Sequence, residues 1–183
     1  YIFMFENLGF DETTQDSTVL KSIFGSSYLS ADEYVNYFIG AGRTYNVSAA
    51  HLASRVVQEG GADSTYSAIT GTSTATYKGI SLTGFYNYFN IGAYADAYTT
   101  SPVTRGLAFA AGLTDTGTSL GRPWNTREKA IYGGASFISS GYVNAGQYSL
   151  YFQKFNTSPT SSYSKYTHQY MTNVQAPSSE GNN

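Results

Sequence analysis

The chain contains no cysteine in 183 residues, which excludes disulfide staples, thiolate metal sites and a cysteine nucleophile together. Histidine is nearly absent too: His51 and His168 are the only two, too few for an imidazole zinc cluster or an HExxH site. Charged residues make up 12% of the chain and the formal net charge is -2. That leaves no basic footprint for nucleic acid and little field to steer an ionic partner. No apolar run approaches the roughly 20 residues of a bilayer span, so no membrane insertion is expected. Tyr1-Ile2-Phe3-Met4-Phe5 is short and lacks the basic flank of a signal peptide. No phosphate-binding loop ending in Gly-Lys-Ser/Thr occurs, so nucleotides are not indicated. Because the chain starts with Tyr and ends in a polar tail, it is expected to be one domain, 1–183, excised from a larger secreted protein.

Tyrosine and phenylalanine fill the space that charge leaves. Aromatic residues reach 16%, with 18 Tyr and 11 Phe against a single Trp. So many phenols cannot all be buried with satisfied hydroxyls, and many must line a surface or groove. A phenol offers an apolar face and a hydroxyl edge, the pairing that a sugar chain also presents. The composition equally fits tyrosines that merely decorate a polar extracellular protein.

Hydrophobic spacing marks helices towards both ends and an irregular middle. Ser30 and Glu33 have capping-box spacing ahead of Tyr34, Phe38 and Ile39, in a helix that Gly40 to Gly42 are expected to end. Ser48 is the natural N-cap of a second helix, with apolar residues at 49, 52, 53, 56 and 57. Residues 60–82 are small and polar and read as a loop with room for a short hairpin. Ser101-Pro102 opens another helix, and Asn125 or Thr126 caps one through Ala130, Ile131, Ala135 and Ile138. Residues 146–155 fit helix or strand. Phe137, Ile138 and Leu150 read as plain packing.

The second helix ends at Gln58-Glu59-Gly60-Gly61. A step of about 100° per residue brings Glu59 to within roughly 20° of Leu52, at the edge of the apolar stripe. Partial desolvation and the negative end of the helix dipole both favour a carboxyl that keeps its proton, the state a general acid needs. A solvated glutamate that only precedes a Gly-Gly cap is the plainer alternative.

A longer set of motifs narrows this choice. Val57 to Gly61 is followed by Tyr86-Asn87-Tyr88-Phe89-Asn90-Ile91-Gly92-Ala93, by Gly121-Arg122-Pro123-Trp124-Asn125-Thr126-Arg127-Glu128-Lys129-Ala130-Ile131 and by Gly133-Gly134-Ala135-Ser136-Phe137-Ile138. Gly141 to Gln147, Leu150 to Asn156 and His168 to Pro177 continue the order. From about Ala31 to Pro177 the chain resembles glycoside hydrolase family 73, bacterial endo-β-N-acetylglucosaminidases of the Gram-positive autolysin type. The resemblance implies a mainly α, lysozyme-like fold with a helical lobe and a small β or irregular lobe flanking a substrate groove. It implies cleavage of the GlcNAc-β-1,4-MurNAc bond of peptidoglycan, in the cell wall, by a secreted monomer that needs no cofactor.

By the same carry-over Glu59 is the catalytic acid and Tyr170 lies near the reacting sugar, although Met171 and Asn173 depart from the family's Tyr-Ala-Thr-Asp pattern. Asn87, Tyr88, Phe89, Asn90, Tyr142, Tyr151 and Gln147 are the candidate groove residues. The second catalytic group stays open. Asp63 is the single carboxylate between Gly60 and Tyr94, Asp96 follows it, and Glu128 sits where helix capping is its expected task. Alternatively the substrate's own acetamido oxygen attacks the anomeric carbon. A lytic transglycosylase or muramidase, or a non-catalytic glycan-binding module, are the other readings of the same residues.

Overall fold

The computed structural model describes residues 2–114 and 119–169. Along these residues run helices α1 (Ser17–Phe24), α2 (Asp32–Tyr45) and α3 (Ala49–Gln58), then the single turn α4 (Ser67–Thr70). Strands β1 (Thr76–Tyr77) and β2 (Ile80–Ser81), α5 (Pro102–Ala110), α6 (Arg127–Ile138) and α7 (Leu150–Phe155) complete the order. The fold is mainly α with one small antiparallel hairpin, as the sequence implies. No helix among the described residues is long and apolar enough to cross a membrane.

Several expected caps form. The hydroxyls of Ser48, Ser101 and Thr126 accept from the backbone amides of His51, Thr104 and Lys129, so three helix starts are fixed by single side chains. Two expectations fail at α2. Ser30 donates to Ser27 O instead of capping, leaving Ala31 as an N-cap without a side-chain bond. The helix also runs through Gly40 and Gly42 to Asn46, which closes it in the left-handed region. Those glycines permit close approach: a Cβ on Gly42 would lie 2.8 Å from Val47 O, and one on Gly40 2.2 Å from the Tyr132 hydroxyl. Residues 150–155 resolve the helix-or-strand ambiguity as α7, capped by Ser149.

Helices α1, α2, α3 and α6 pack on one another around Leu20, Phe24, Val35, Phe38, Leu52, Val56, Trp124 and Ile131. α6 meets its neighbours through glycine, since a Cβ at Gly133 would strike the Trp124 indole at 2.1 Å and one at Gly134 the Phe89 ring at 2.0 Å. A second, smaller cluster joins Ala68, Tyr77, Leu82, Leu107 and Ala108. It belongs to a lobe made of α4, the hairpin and α5.

So small a cluster is supplemented by polar bonds. Asp96 Oδ2 lies 2.8 Å from Arg105 Nε and accepts from the Tyr77 hydroxyl at 2.6 Å, while its Oδ1 accepts from the amides of Tyr98 and Thr99. Arg105 donates in turn to the Tyr94 hydroxyl and to Gly92 O. This network ties the 92–99 loop to α5.

Candidate active site

The helical part and the small lobe meet at a cleft of about 450 Å3 lined by Arg55, Glu59, Tyr66, Phe89, Asn90, Ile91, Gly92, Ala93, Pro102, Val103 and Phe137. Glu59 is the single carboxylate in that lining. It terminates α3, with its amide bonded to Arg55 O. Gly60 follows in the left-handed region, φ 82°, and turns the chain away. Glu59 Oε2 accepts from Asn90 Nδ2 at 3.1 Å, and the Tyr66 hydroxyl donates to Asn90 Oδ1 at 2.9 Å. A neutral relay of phenol and amide therefore orients the carboxyl.

The loop carrying Asn90 is shaped from within by Asn87. That side chain is 1% exposed. Its amide donates to Ile91 O and Gly106 O, each at 2.9 Å, and its carbonyl accepts from Ile91 N. Asn90 itself adopts φ 50°, a left-handed conformation that asparagine tolerates better than most residues, and this delivers its amide to Glu59.

The other candidates divide. Phe89 is buried on Gly134 and contributes to the cleft lining. Tyr88 is buried in the core, and burial holds its phenol above the ordinary value. Gln147 is fully buried; its amide donates to Phe152 O and His168 O, and its carbonyl oxygen lies 2.9 Å from His168 Nδ1. It anchors the 156–169 segment, where the His168 ring lies against Tyr163 and Tyr142. Tyr142 is half-buried there, and desolvation raises its phenol. Tyr151 stacks on Phe5 and packs against Phe152 and Phe155. None of Asn87, Tyr88, Gln147, Tyr142 and Tyr151 is in the cleft lining. Tyr170 lies outside the described residues.

The candidate second carboxylates are both engaged. Asp63 Oδ1 accepts from the Thr65 hydroxyl and amide at 2.7 and 2.8 Å, and these bonds, the hydroxyl's first, hold the carboxyl below its ordinary value. Asp96 is bound into the Tyr77–Arg105 network, and the Tyr77 hydroxyl in first place keeps it low. Glu128 occupies the first turn of α6, where its charge suits the helix dipole.

Sequence reading missed Tyr66, Val103 and Phe137, all in the cleft lining. It also passed over Gly117-Thr118-Ser119-Leu120-Gly121, which has nucleophile-elbow spacing. Ser119 opens a 3-10 turn, and its hydroxyl accepts from Arg122. A larger cavity of about 590 Å3 shares Arg55 with the cleft, but its carboxylate, Glu6, lies on the exposed N-terminal segment. Among the described residues no three His, Cys, Asp or Glu side chains are grouped to hold a metal.

Fold and cleft together define a mainly helical domain of lysozyme-like fold. No protein-family model matches the chain. A bifunctional autolysin of Staphylococcus aureus is 33% identical over 141 residues, spanning 75% of this chain and 10% of the relative. Two S. aureus crystal structures share the fold at 21% identity. Glucosaminidase B has a TM-score of 0.67, covering 97% of this chain and 60% of that one. A catalytic glutamate-to-alanine mutant of autolysin E in complex with the disaccharide NAG-NAM has a TM-score of 0.57, covering 97% and 70%. The chain is a relative of these autolysins, and the resemblance to glycoside hydrolase family 73 is borne out. It spans about a tenth of the length of the curated relatives that it matches.

Proposed function

We propose that this domain hydrolyses the β-1,4 bond between N-acetylglucosamine and N-acetylmuramic acid in peptidoglycan strands, outside the membrane in the cell wall, with Glu59 as general acid. The observation that carries the reading is a lone carboxylate at a helix end, oriented by Asn90 inside a cleft otherwise lined mainly by apolar and neutral side chains. The relatives' names support it: one is an autolysin, one a glucosaminidase, and one holds NAG-NAM in a glutamate mutant described as catalytic.

Glu59 donates its proton to the glycosidic oxygen as the bond to the anomeric carbon breaks. The Asn90 amide stays on Oε2 and steadies the carboxylate that results. Because Asp63 and Asp96 are committed to a turn and an ion pair, the substrate's acetamido oxygen is the nucleophile. It forms a bond to the anomeric carbon and gives an oxazolinium ion. Water then adds at that carbon while Glu59 takes back its proton, with retention of configuration. Tyr170 completes the reading by orienting the acetamido group.

Digestion of purified peptidoglycan by wild type and Glu59→Gln, followed by borohydride reduction and mass spectrometry, tests the proposal. Reducing GlcNAc ends are expected from wild type, with a loss of at least about 10³-fold in the variant. Anhydro or reducing MurNAc ends identify a transglycosylase or muramidase instead. Binding without release by either protein identifies a glycan-binding module.

A further inference from the structure

Phe137 is the one large apolar side chain in the cleft lining that is left exposed, at 42%. A lone exposed apolar residue is ordinary on a protein surface; one on the wall of a cavity that also holds the candidate acid has a ligand-facing position. Neighbouring apolar groups in the lining, Phe89 and Ile91, are buried.

The helix explains how the ring is presented. α6 packs inward through Ala130, Ile131, Gly133, Gly134, Ala135 and Ile138. Phe137 follows Gly134 by three residues and Gly133 by four, which places it on the same side of α6, one turn further along. Phe89 rests on Gly134, and both rings line the cleft. The same lining carries the Glu59 carboxyl, the Asn90 amide and the Tyr66 hydroxyl. A pyranose ring has the matching division, with C–H bonds on its face and hydroxyl and acetamido groups on its rim, and an aromatic face suits the former as hydrogen-bonding groups suit the latter.

We propose that Phe137 is the stacking platform for an N-acetylhexosamine ring of the glycan bound in the Glu59 cleft. The inference rests on the proposed glycan substrate and adds the side chain that grips it.

The test is calorimetric titration of the full chain carrying Glu59→Gln, which is expected to bind without turnover, with a soluble GlcNAc-MurNAc oligosaccharide. Phe137→Ala, Phe137→Leu and Phe137→Trp are each added to that background. Ala and Leu are expected to weaken binding about tenfold, and Trp to stay within about threefold, with melting temperatures unchanged because the ring is largely outside the core. Phe137→Leu separates a flat ring from mere apolar bulk and serves also if the Ala variant folds poorly. Full affinity in the Leu or Ala variant, with peptidoglycan still cleaved by wild type, overturns the platform and leaves the proposed function standing. A parent chain that neither binds nor cleaves glycan overturns the proposed function and the platform with it.

Discussion

The two sides of the cleft are held together by different forces. On the helical side, α2, α3 and α6 bury a continuous apolar core, and Gly40, Gly42, Gly133 and Gly134 admit close neighbours. The small lobe has a five-residue apolar cluster, a two-residue hairpin ladder and the Asp96 network. A close-packed interior transmits small volume changes, whereas a polar network depends on charge state. Glu59 stands on the first kind of support and its partner Asn90 on the loop leading to the second. The acid's place is thereby set by packing, and its hydrogen bond by the 87–91 loop.

The largest effect expected from this contrast is at Gly134. Alanine there sets a methyl 2.0 Å from Phe89, and the core can relieve the overlap only by displacing a ring that also lines the cleft. Gly134→Ala is expected to lower unfolding free energy by about 2–4 kcal/mol, read by urea denaturation. An unchanged midpoint breaks the claim that this side is close-packed.

Acid provides the next test, because it acts on the two sides at different pH. Burial, then the Arg55 charge, lowers His51 to about 3, well below the unfolded value near 6.5. The neutral ring's contribution is therefore complete above the unfolded value and is lost as pH falls from there towards about 3. Between pH 7 and roughly pH 5 that amounts to about 2 kcal/mol. His51→Leu is expected to flatten that stretch of the stability profile in urea titrations, and an unaltered slope contradicts it.

Asp96 works in a lower window. Its folded value is depressed, by the Tyr77 hydroxyl first and then by the surrounding amides and Arg105. The stability it gives is present above the unfolded value of about 3.9 and is lost as pH falls through the folded one. Tyr77 reports the same bond from the alkaline side: pushed up to about 12, it keeps its contribution below its unfolded value near 10 and loses it as pH rises through about 12. Asp96→Asn is expected to speed amide exchange in the 76–81 hairpin and the 92–99 loop at pH 7 while barely moving α2 and α6. Equal acceleration everywhere erases the distinction between the two sides.

The helical side was the more legible in sequence for the same reason that it is the more rigid. A 3.6-residue apolar period and a capping hydroxyl are local signals, and Ser48, Ser101 and Thr126 delivered them. Gly40 and Gly42 misled because glycine looks the same whether it ends a helix or admits a neighbour, and the neighbour Tyr132 is far along the chain. The small lobe joins Tyr77, Tyr94, Asp96 and Arg105 across irregular loops, where no period exists to read. Within the candidate site, Glu59 and Asn90 came from motif and helix register together, but orientation could not be read. Asn87 turned inward to staple its loop, and Phe137 is left exposed on the cleft wall at the end of a helix so rich in Gly and Ala that its buried face was weakly marked.

The smallest expected effect concerns Asp63, four residues beyond Glu59 yet on the small-lobe side of the turn. One carboxylate oxygen is occupied by the Thr65 amide and hydroxyl, and the residue is exposed. An asparagine side chain can accept the same two bonds through its carbonyl oxygen, so the turn survives and only the charge is lost. If the acetamido group is the nucleophile, Asp63→Asn should cleave peptidoglycan within about twofold of wild type, since it removes no group that touches the reacting atoms. A second carboxylate that activated water or attacked the sugar would make the same change cost about 10²–10⁴-fold. Measured beside a circular dichroism spectrum to establish folding, a dead Asp63→Asn enzyme assigns the second role to this aspartate and ends the substrate-assisted reading.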